Sequence, residues 1–346
     1  NHLLIQTAFL HNQLTNNTMQ VNVGSVGTIA SSFEANWWGN AAGPALGSVY
    51  SGLDFTPWCG NSACSILVPT AGVIEIPAGT AGSVVQQYLG NAPQDTEIRF
   101  LGSPGSLSGG FTINTPHLTI LLRNGTVIQN NSPCFVINAD YTTIMTESVG
   151  GASCVPTSGS NGIDVNGSRV NIVIQGLEFP GAAGGDGIHF AGSLNDTVLV
   201  NNWFHDLTGD GIDFALQPTG TVNIQGNLFQ NNGGLGINSP GSVGAEFNSW
   251  GSSGGASSGD GASAGIITDP YTHVDLYLVS SGTARPNQVL TGQTITYTVY
   301  AHMVNALAVD FWLQYPTGLT ISGFPTSSGT FDSYSYFDTS VANAIH

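Results

Sequence analysis

The feature that most limits the folds open to this chain is a repeat. Glycine–isoleucine pairs recur at Gly162-Ile163, Gly187-Ile188, Gly211-Ile212 and Gly236-Ile237, in steps of 25, 24 and 25 residues. A small polar turn follows each of the first three pairs, then a second apolar run at Val170–Ile174, Thr197–Val200 and Thr221–Ile224. A third apolar signal closes each unit at Leu177-Glu178-Phe179, Trp203-Phe204 and Leu228-Phe229. A fixed period of about 20–50 residues marks a solenoid or array. In Ile212-Asp213-Phe214 the alternation puts Ile and Phe on one face and Asp on the other, as in a half-buried strand. Three such strands per coil, stacked in parallel about 4.8 Å apart, bury one continuous apolar column. An amphipathic helix does not fit, because Gly interrupts every run and the apolar positions do not recur at three to four residues.

The surface this implies is unusual. Charged residues are 7% of the 346, against roughly 25% in ordinary soluble domains. Lysine is absent, and Arg99, Arg123, Arg169 and Arg285 face 21 acids, for a net charge of −17. Nucleic-acid binding needs a basic stripe and is excluded as a role. An apolar run long enough to span a membrane is also missing from the sequence. The chain begins at Asn1 inside patterned sequence, and is read as a processed protein or a window on a longer one. Its four cysteines group as Cys59 with Cys64 and Cys134 with Cys154, without zinc spacing, so two disulfides are expected rather than free thiols. The second would close a loop contributing about 3 kcal/mol in the chain-entropy model, and sets the protein outside a reducing cytosol.

Three segments follow. Residues 1–58 read as a terminal coil and cap, incomplete alone. Phe33-Glu34-Ala35-Asn36-Trp37-Trp38-Gly39 returns 212 residues later as Ala245-Glu246-Phe247-Asn248-Ser249-Trp250-Gly251. The echo continues from Ser51–Trp58 to Ala264–Tyr271, and Leu4-Ile5-Gln6 through Phe9 to Asn12 is matched to Asn223-Ile224-Gln225 through Phe229 to Asn231. Residues 59–271 read as the main stack with its own cap, opening on a strand at Val73–Ile76 and a short helix at Ala81–Leu89. Residues 272–346, with alternating runs at Thr272–Val279, Gln293–Val304 and Leu307–Tyr315, read as an antiparallel sandwich of about 75 residues, short of the ~100 of a complete immunoglobulin domain.

The coils at 161–251 resemble the right-handed parallel β-helix shared by pectate lyases, polygalacturonases and many bacterial surface proteins. Asn36-Trp37-Trp38-Gly39 with Gly43-Pro44, and Phe55–Trp58, resemble caps of large secreted bacterial proteins. Gly292–Tyr297 and Leu313–Leu319 are similar to immunoglobulin-like or cohesin-like surface repeats. The resemblance implies an all-β chain, a solenoid followed by a sandwich, with an extracellular or cell-surface location.

Candidate chemistry sits on one outward column, Asp164, His189, Asp213 and Asn238, beside a second formed by Asp186 and Asp210. Three uses are open. The column can be solvated structure, a calcium site on Asp186, Asp210 and Asp213, or an acid–base pair for glycoside hydrolysis, with Asp164 and Asp213 two coils and about 9–10 Å apart. Pectate lyases and polygalacturonases rely on basic residues that the coils here lack, apart from Arg169. Asn16, Asn124, Asn130, Asn166 and Asn195 begin Asn-x-Ser/Thr triplets, a minor expectation of glycosylation in an Asn-rich chain. The expected function is a non-enzymatic extracellular structural or adhesin-like protein that self-associates, as a surface array or head-to-tail fibre. A secreted polysaccharide hydrolase or lyase, and a glycan-binding module, are the alternatives.

Overall fold

The first strand of the main stack, Val73–Ile76, is the edge of a seven-stranded parallel sheet that continues through Glu97–Phe100, Thr119–Leu122, Thr143–Thr146, Val173–Gln175, Thr197–Val200 and Val222–Gln225. A six-stranded sheet runs from Phe111–Ile113 through Phe135–Ile137, Ile163–Val165, Ile188–Phe190 and Ile212–Phe214 to Ile237–Asn238. A five-stranded sheet comprises Val127–Gln129, Ala152–Val155, Leu177–Pro180, Trp203–His205 and Leu228–Gln230. Together they make a parallel β-solenoid of about 7 turns in an all-β chain that is 6% helical. This computed structural model describes residues 10, 12–15, 33–46, 54–70, 72–129, 132–156, 159–181, 185–252, 255–257, 260–269 and 271. It also gives the backbone of four later strands, Val274–Ser281, Thr296–Met303, Leu313–Gln314 and Ala344–Ile345.

The repeat sets the register. Ile163 pairs with Ile188, Ile188 with Ile212 and Ile212 with Ile237. All four isoleucines are fully buried, and the second apolar runs supply Ile174, Leu199 and Ile224 to the same core. The third signal forms an aromatic stack: Phe179 on Phe204 at 4.8 Å, Phe204 on Phe229 at 5.2 Å, and Phe229 on Trp250 at 5.0 Å. Near-parallel rings one coil apart follow directly from parallel, in-register strands.

The stack explains the glycine of each pair. A Cβ on Gly187 would run into Phe204 Cδ1 and lie 2.6 Å from the Gly211 carbonyl oxygen; Gly162 and Gly211 meet Phe179 and Phe229 in the same way. Each glycine leaves room for a ring of its own coil and the backbone of the next. Gly187→Ala is therefore expected to lower stability by about 2–3 kcal/mol through overpacking, measured by urea denaturation. A loss below about 0.5 kcal/mol would contradict this packing.

The two ends of the main stack are covered differently. At its start, helix α1 (Gly82–Asn91, where the sequence predicted Ala81–Leu89) lies across the edge of the six-stranded sheet. Gln86 Nε2 donates to the Thr112 carbonyl at 2.9 Å, and the Thr112 N–H donates to Gln86 Oε1 at 2.7 Å. The first strand of that sheet is thus closed to pairing. At the far end, Trp250 is fully buried against Phe229.

The echo is a duplicated structure where both copies are described, from residues 33–40 and 245–252 to Asp54 and Ile267. The Phe33 N–H donates to the Asp54 carbonyl and the Ala245 N–H to the Ile267 carbonyl, each at 2.8 Å. Ala35 and Phe247 both take positive φ, 48° and 60°, and so do Gly39 and Gly251, at 86° and 68°. Asn36 Nδ2 donates to the Phe33 carbonyl at 2.7 Å, as Asn248 Nδ2 does to the Ala245 carbonyl at 2.8 Å. The Asn12 N–H donates to Asn36 Oδ1 at 2.8 Å, as the Asn227 N–H does to Asn248 Oδ1 at 2.9 Å. Asn12 is therefore the counterpart of Asn227, which corrects the sequence alignment of Asn12 with Asn231 by four residues. Apolar similarity alone placed that match; the hydrogen bonds of the asparagine decide it. Trp58 Nε1 closes this first cap on itself, donating to the Ala41 carbonyl at 2.9 Å, and Asn91 of α1 holds the cap through Nδ2 to the Ala42 and Pro44 carbonyls at 2.8 Å.

Both expected disulfides are present, Cys59–Cys64 and Cys134–Cys154, with Cα atoms 4.8 Å and 6.0 Å apart. The chain divides into two compact units, Asn1–Val304 and Asn305–His346. In the first, Val274–Ser281 pairs antiparallel with Thr296–Met303. In the second, Leu313–Gln314 pairs antiparallel with Ala344–Ile345. The remaining sandwich segments expected from sequence, the run Leu4–Phe9, residues 51–53, and Asn16 and Asn130 lie outside the described residues. Among the described residues, no helix is long and apolar enough to cross a membrane.

Candidate functional site

The six-stranded sheet sets Asp164, His189, Asp213 and Asn238 in one register-matched outward column, one per coil. None of the four is fully exposed. His189 Nδ1 lies 2.7 Å from Asp213 Oδ2, and Asn238 Nδ2 donates to Asp213 Oδ1 at 2.9 Å. Asp164 is turned to its own coil, accepting from Asn161 Nδ2 at 2.8 Å. The expected column therefore splits: His189 and Asp213 pair directly, whereas Asp164 does not join them.

Asp186 and Asp210 belong to a ladder of turn caps that begins at Asn161. Asn161 Oδ1 accepts the Asp186 N–H at 2.9 Å, Asp186 Oδ1 accepts the Asp210 N–H at 2.7 Å, and Asp210 Oδ1 accepts the Leu235 N–H. One oxygen of each side chain satisfies a backbone donor of the next coil, which a buried turn requires. The other Asp186 oxygen, Oδ2, faces His189 Nδ1 at 3.9 Å. Asp186, His189 and Asp213 thus converge, with one potential ligand atom from each all within 4.8 Å of one another.

Burial works against ionisation of the two turn carboxylates, Asp186 and Asp210. Burial pushes the Asp186 carboxyl above its ordinary range, the Asp210 N–H partly offsets this, and the charges of Asp213 and Asp210 add to the rise. Burial likewise raises Asp210, with the Leu235 N–H opposing and Asp213 reinforcing. A carboxyl whose folded-state pKa is raised destabilises the fold while ionised, and that penalty fades as pH falls through the folded pKa towards the unfolded value of about 3.9. Asp210→Asn, which keeps the acceptor for Leu235, is expected to raise the melting temperature of the metal-free protein at pH 7. The gain over wild type should shrink on acidification towards pH 4. An equal difference at both pH values would contradict the assignment.

A second cluster, not picked out from sequence, lies on the five-stranded sheet. His205 Nδ1 contacts Asp206 Oδ2 at 2.8 Å and Nε2 contacts Glu178 Oε1 at 3.2 Å; Ser153 Oγ donates to the other Glu178 oxygen. The imidazole stacks on Trp203 with centroids 4.1 Å apart. The same 25-residue step that aligns the Gly-Ile pairs brings Glu178 beside Trp203 and Pro180 beside His205, so the signal was available. His205 holds the exposed Asp206 carboxyl below its ordinary range. A further surface pair, His117 stacked on Tyr141 at 4.3 Å, stands beside Asp95 and Thr119.

No known protein family, curated protein or solved structure matches this chain. The coils hold acids and histidines that are largely satisfied by one another and by backbone N–H groups. Among the described residues, Asp186, His189 and Asp213 are the group of three ligand-type side chains close enough together to hold a cation.

Proposed function

We propose that this chain is an extracellular structural protein of adhesin-like type, in which β-helical stacks follow one another in series and contact further copies end to end. The supporting observation is the duplicated cap. A coil end at Asn12–Thr15 closes on the cap at 33–46, and a second complete stack with its own cap follows directly. Three asparagines of the ladder, Asn202, Asn227 and Asn248, are fully buried between coils, and so is Asn36. Asn12, the counterpart of Asn227, is exposed. In this reading a further coil pairs with the leading edge at Asn12 and Gln13, as strands add to sheet edges. Two disulfides fit an oxidising, extracellular setting. The finer relationship belongs to this reading as well: a right-handed, pectate-lyase-like β-helix, supported by the coil period, and an immunoglobulin-like tail, supported by the eight-residue antiparallel pair Val274–Ser281 with Thr296–Met303.

Sedimentation velocity over a wide concentration range tests the proposal. Wild type is expected to associate with rising concentration. Gln13→Pro removes the N–H matching that of Leu228, which donates to the Asn202 carbonyl at 2.9 Å, and should weaken association. A monomer at every concentration would sink the end-to-end reading. Polysaccharide cleavage that is lost in both His189→Ala and Asp213→Ala would favour the hydrolase or lyase alternative instead.

A further inference from the structure

We propose that Asp186, His189 and Asp213 are the ligands of a divalent transition-metal ion of the zinc class, clamped between two successive coils of the six-stranded sheet. Such a clamp would serve a rod or an enzyme alike, and so stands apart from the structural role proposed above.

The chain's own repeats provide the control. The turn ladder needs one acceptor oxygen per coil, and at its first position the neutral Asn161 supplies it to the Asp186 N–H. An amide at 186 would cap Asp210 equally well. In the outward column the same holds, where Asn238 occupies the position of Asp213 one coil further on. The turn and the register therefore do not account for carboxylates at 186 and 213. Where both are acids, the residue between them is the histidine.

Charge balance points the same way. Asp186, Asp210 and Asp213 place three half-buried carboxylates in two adjacent coils. There is no lysine in the chain. The three described arginines are engaged elsewhere: Arg99 with Glu75 and Glu97, Arg123 with Glu147, and Arg169 with Asp140. His189 is the one basic side chain beside this cluster among the described residues, and it presents Nδ1 to both Asp213 Oδ2 and Asp186 Oδ2. One imidazole nitrogen beside two carboxylate oxygens is a ligand set for a transition metal rather than a calcium cage, which takes six to eight oxygens.

The distances are compatible. Zinc bonds of about 2.0–2.2 Å to nitrogen and oxygen place ligand atoms roughly 3–3.6 Å apart in a tetrahedron. The observed 2.7 Å between His189 Nδ1 and Asp213 Oδ2 would open slightly, and the 3.9 Å to Asp186 Oδ2 would close by a few tenths. The three ligand atoms lie within 4.8 Å of one another, so the widest separation would have to close as the ion is taken up. Three protein ligands would leave a fourth position for water or another donor.

The test uses the whole chain, stripped with chelator and then titrated with Zn(II), Mn(II) and Ca(II) by calorimetry, beside Asp186→Asn, Asp213→Asn and His189→Gln. Wild type should take up one equivalent of Zn(II) in preference to Ca(II). Each variant should bind about 100-fold more weakly or worse, since loss of a direct ligand exceeds the 10–100-fold typical of outer-shell partners. Melting gives a second reading with a change of sign. In chelator Asp186→Asn should melt at or above wild type, because one repulsive charge is gone and the cap is kept. With Zn(II) it should melt below wild type, because only wild type gains from the ion. The Co(II) spectrum of wild type supplies a measurement that needs no variant, with the intense visible bands of a four-coordinate site expected. Unchanged Zn(II) uptake in all three variants would identify an adventitious ion only and overturn the proposal. So would preference for Ca(II), absence of uptake by the folded wild type, or a purely six-coordinate Co(II) spectrum.

Discussion

Asn227→Ala is expected to cost about 4 kcal/mol, close to the whole stability of a marginal domain. The side chain is fully buried between coils. Its Oδ1 accepts the Asn202 N–H at 2.9 Å and Asn202 Nδ2 at 3.0 Å, while its Nδ2 donates to the Leu199 carbonyl at 2.8 Å and to Asn248 Oδ1 at 3.0 Å. Truncation strands the Asn202 N–H and the Leu199 carbonyl away from water, and each orphaned group costs about 1–3 kcal/mol. Asn202 repeats the arrangement one coil earlier, accepting the Leu177 N–H at 3.0 Å and donating to the Ile174 carbonyl at 3.0 Å. The ladder is thus continuous, and a break at its middle affects the coils on either side. Urea denaturation of Asn227→Ala should show a large fall in midpoint, with Gln225→Ala, at an exposed neighbouring position, as a control within about 0.5 kcal/mol of wild type. Similar small effects for both would mean that the amide ladder does not hold the coils.

Phe204→Ala should cost about 4 kcal/mol by the cavity it leaves. The ring is fully buried and lies between Phe179 at 4.8 Å and Phe229 at 5.2 Å, so its loss opens a gap within an unbroken stack. Parallel coils are held at their spacing by the backbone ladder, and cannot slide together to fill it. The same ring forbids a side chain at Gly187, so the two positions should couple. In the Phe204→Ala background, Gly187→Ala should lose at least about 1 kcal/mol less than it does in wild type. The Gly211 carbonyl still stands 2.6 Å from the new Cβ, and full relief is not expected. Strict additivity would show that the ring and the glycine do not share this space.

These results separate what the repeat makes legible from what it does not. The Gly-Ile steps were enough to predict parallel strands, the pairing of Ile163, Ile188, Ile212 and Ile237, and the alignment of His189 with Asp213, because side-chain period and coil length together fix register. Cysteine grouping sufficed for both disulfides. The cap echo was visible because tryptophan, asparagine and glycine are distinctive in so polar a chain. Its leading part was misplaced by four residues, since Asn12 belongs with Asn227 through hydrogen bonds that apolar similarity does not report. The roles of Asp186 and Asp210 were hidden for a related reason. Sequence shows which acids recur at one position, but only the turn geometry shows that one oxygen of each is taken by the next coil. His205, Glu178 and Ser153 escaped notice because no single short motif joins them. They meet only across coils, on a sheet whose other outward residues vary from turn to turn.

If β-helical stacks follow one another and copies add end to end, as proposed, particle length should grow with concentration. Negative-stain electron microscopy of the purified chain at rising concentration addresses this directly. Particles are expected to lengthen in steps of one molecule, with growth reduced in Gln13→Pro. Particles of a single length at every concentration, the same in wild type and variant, would contradict it.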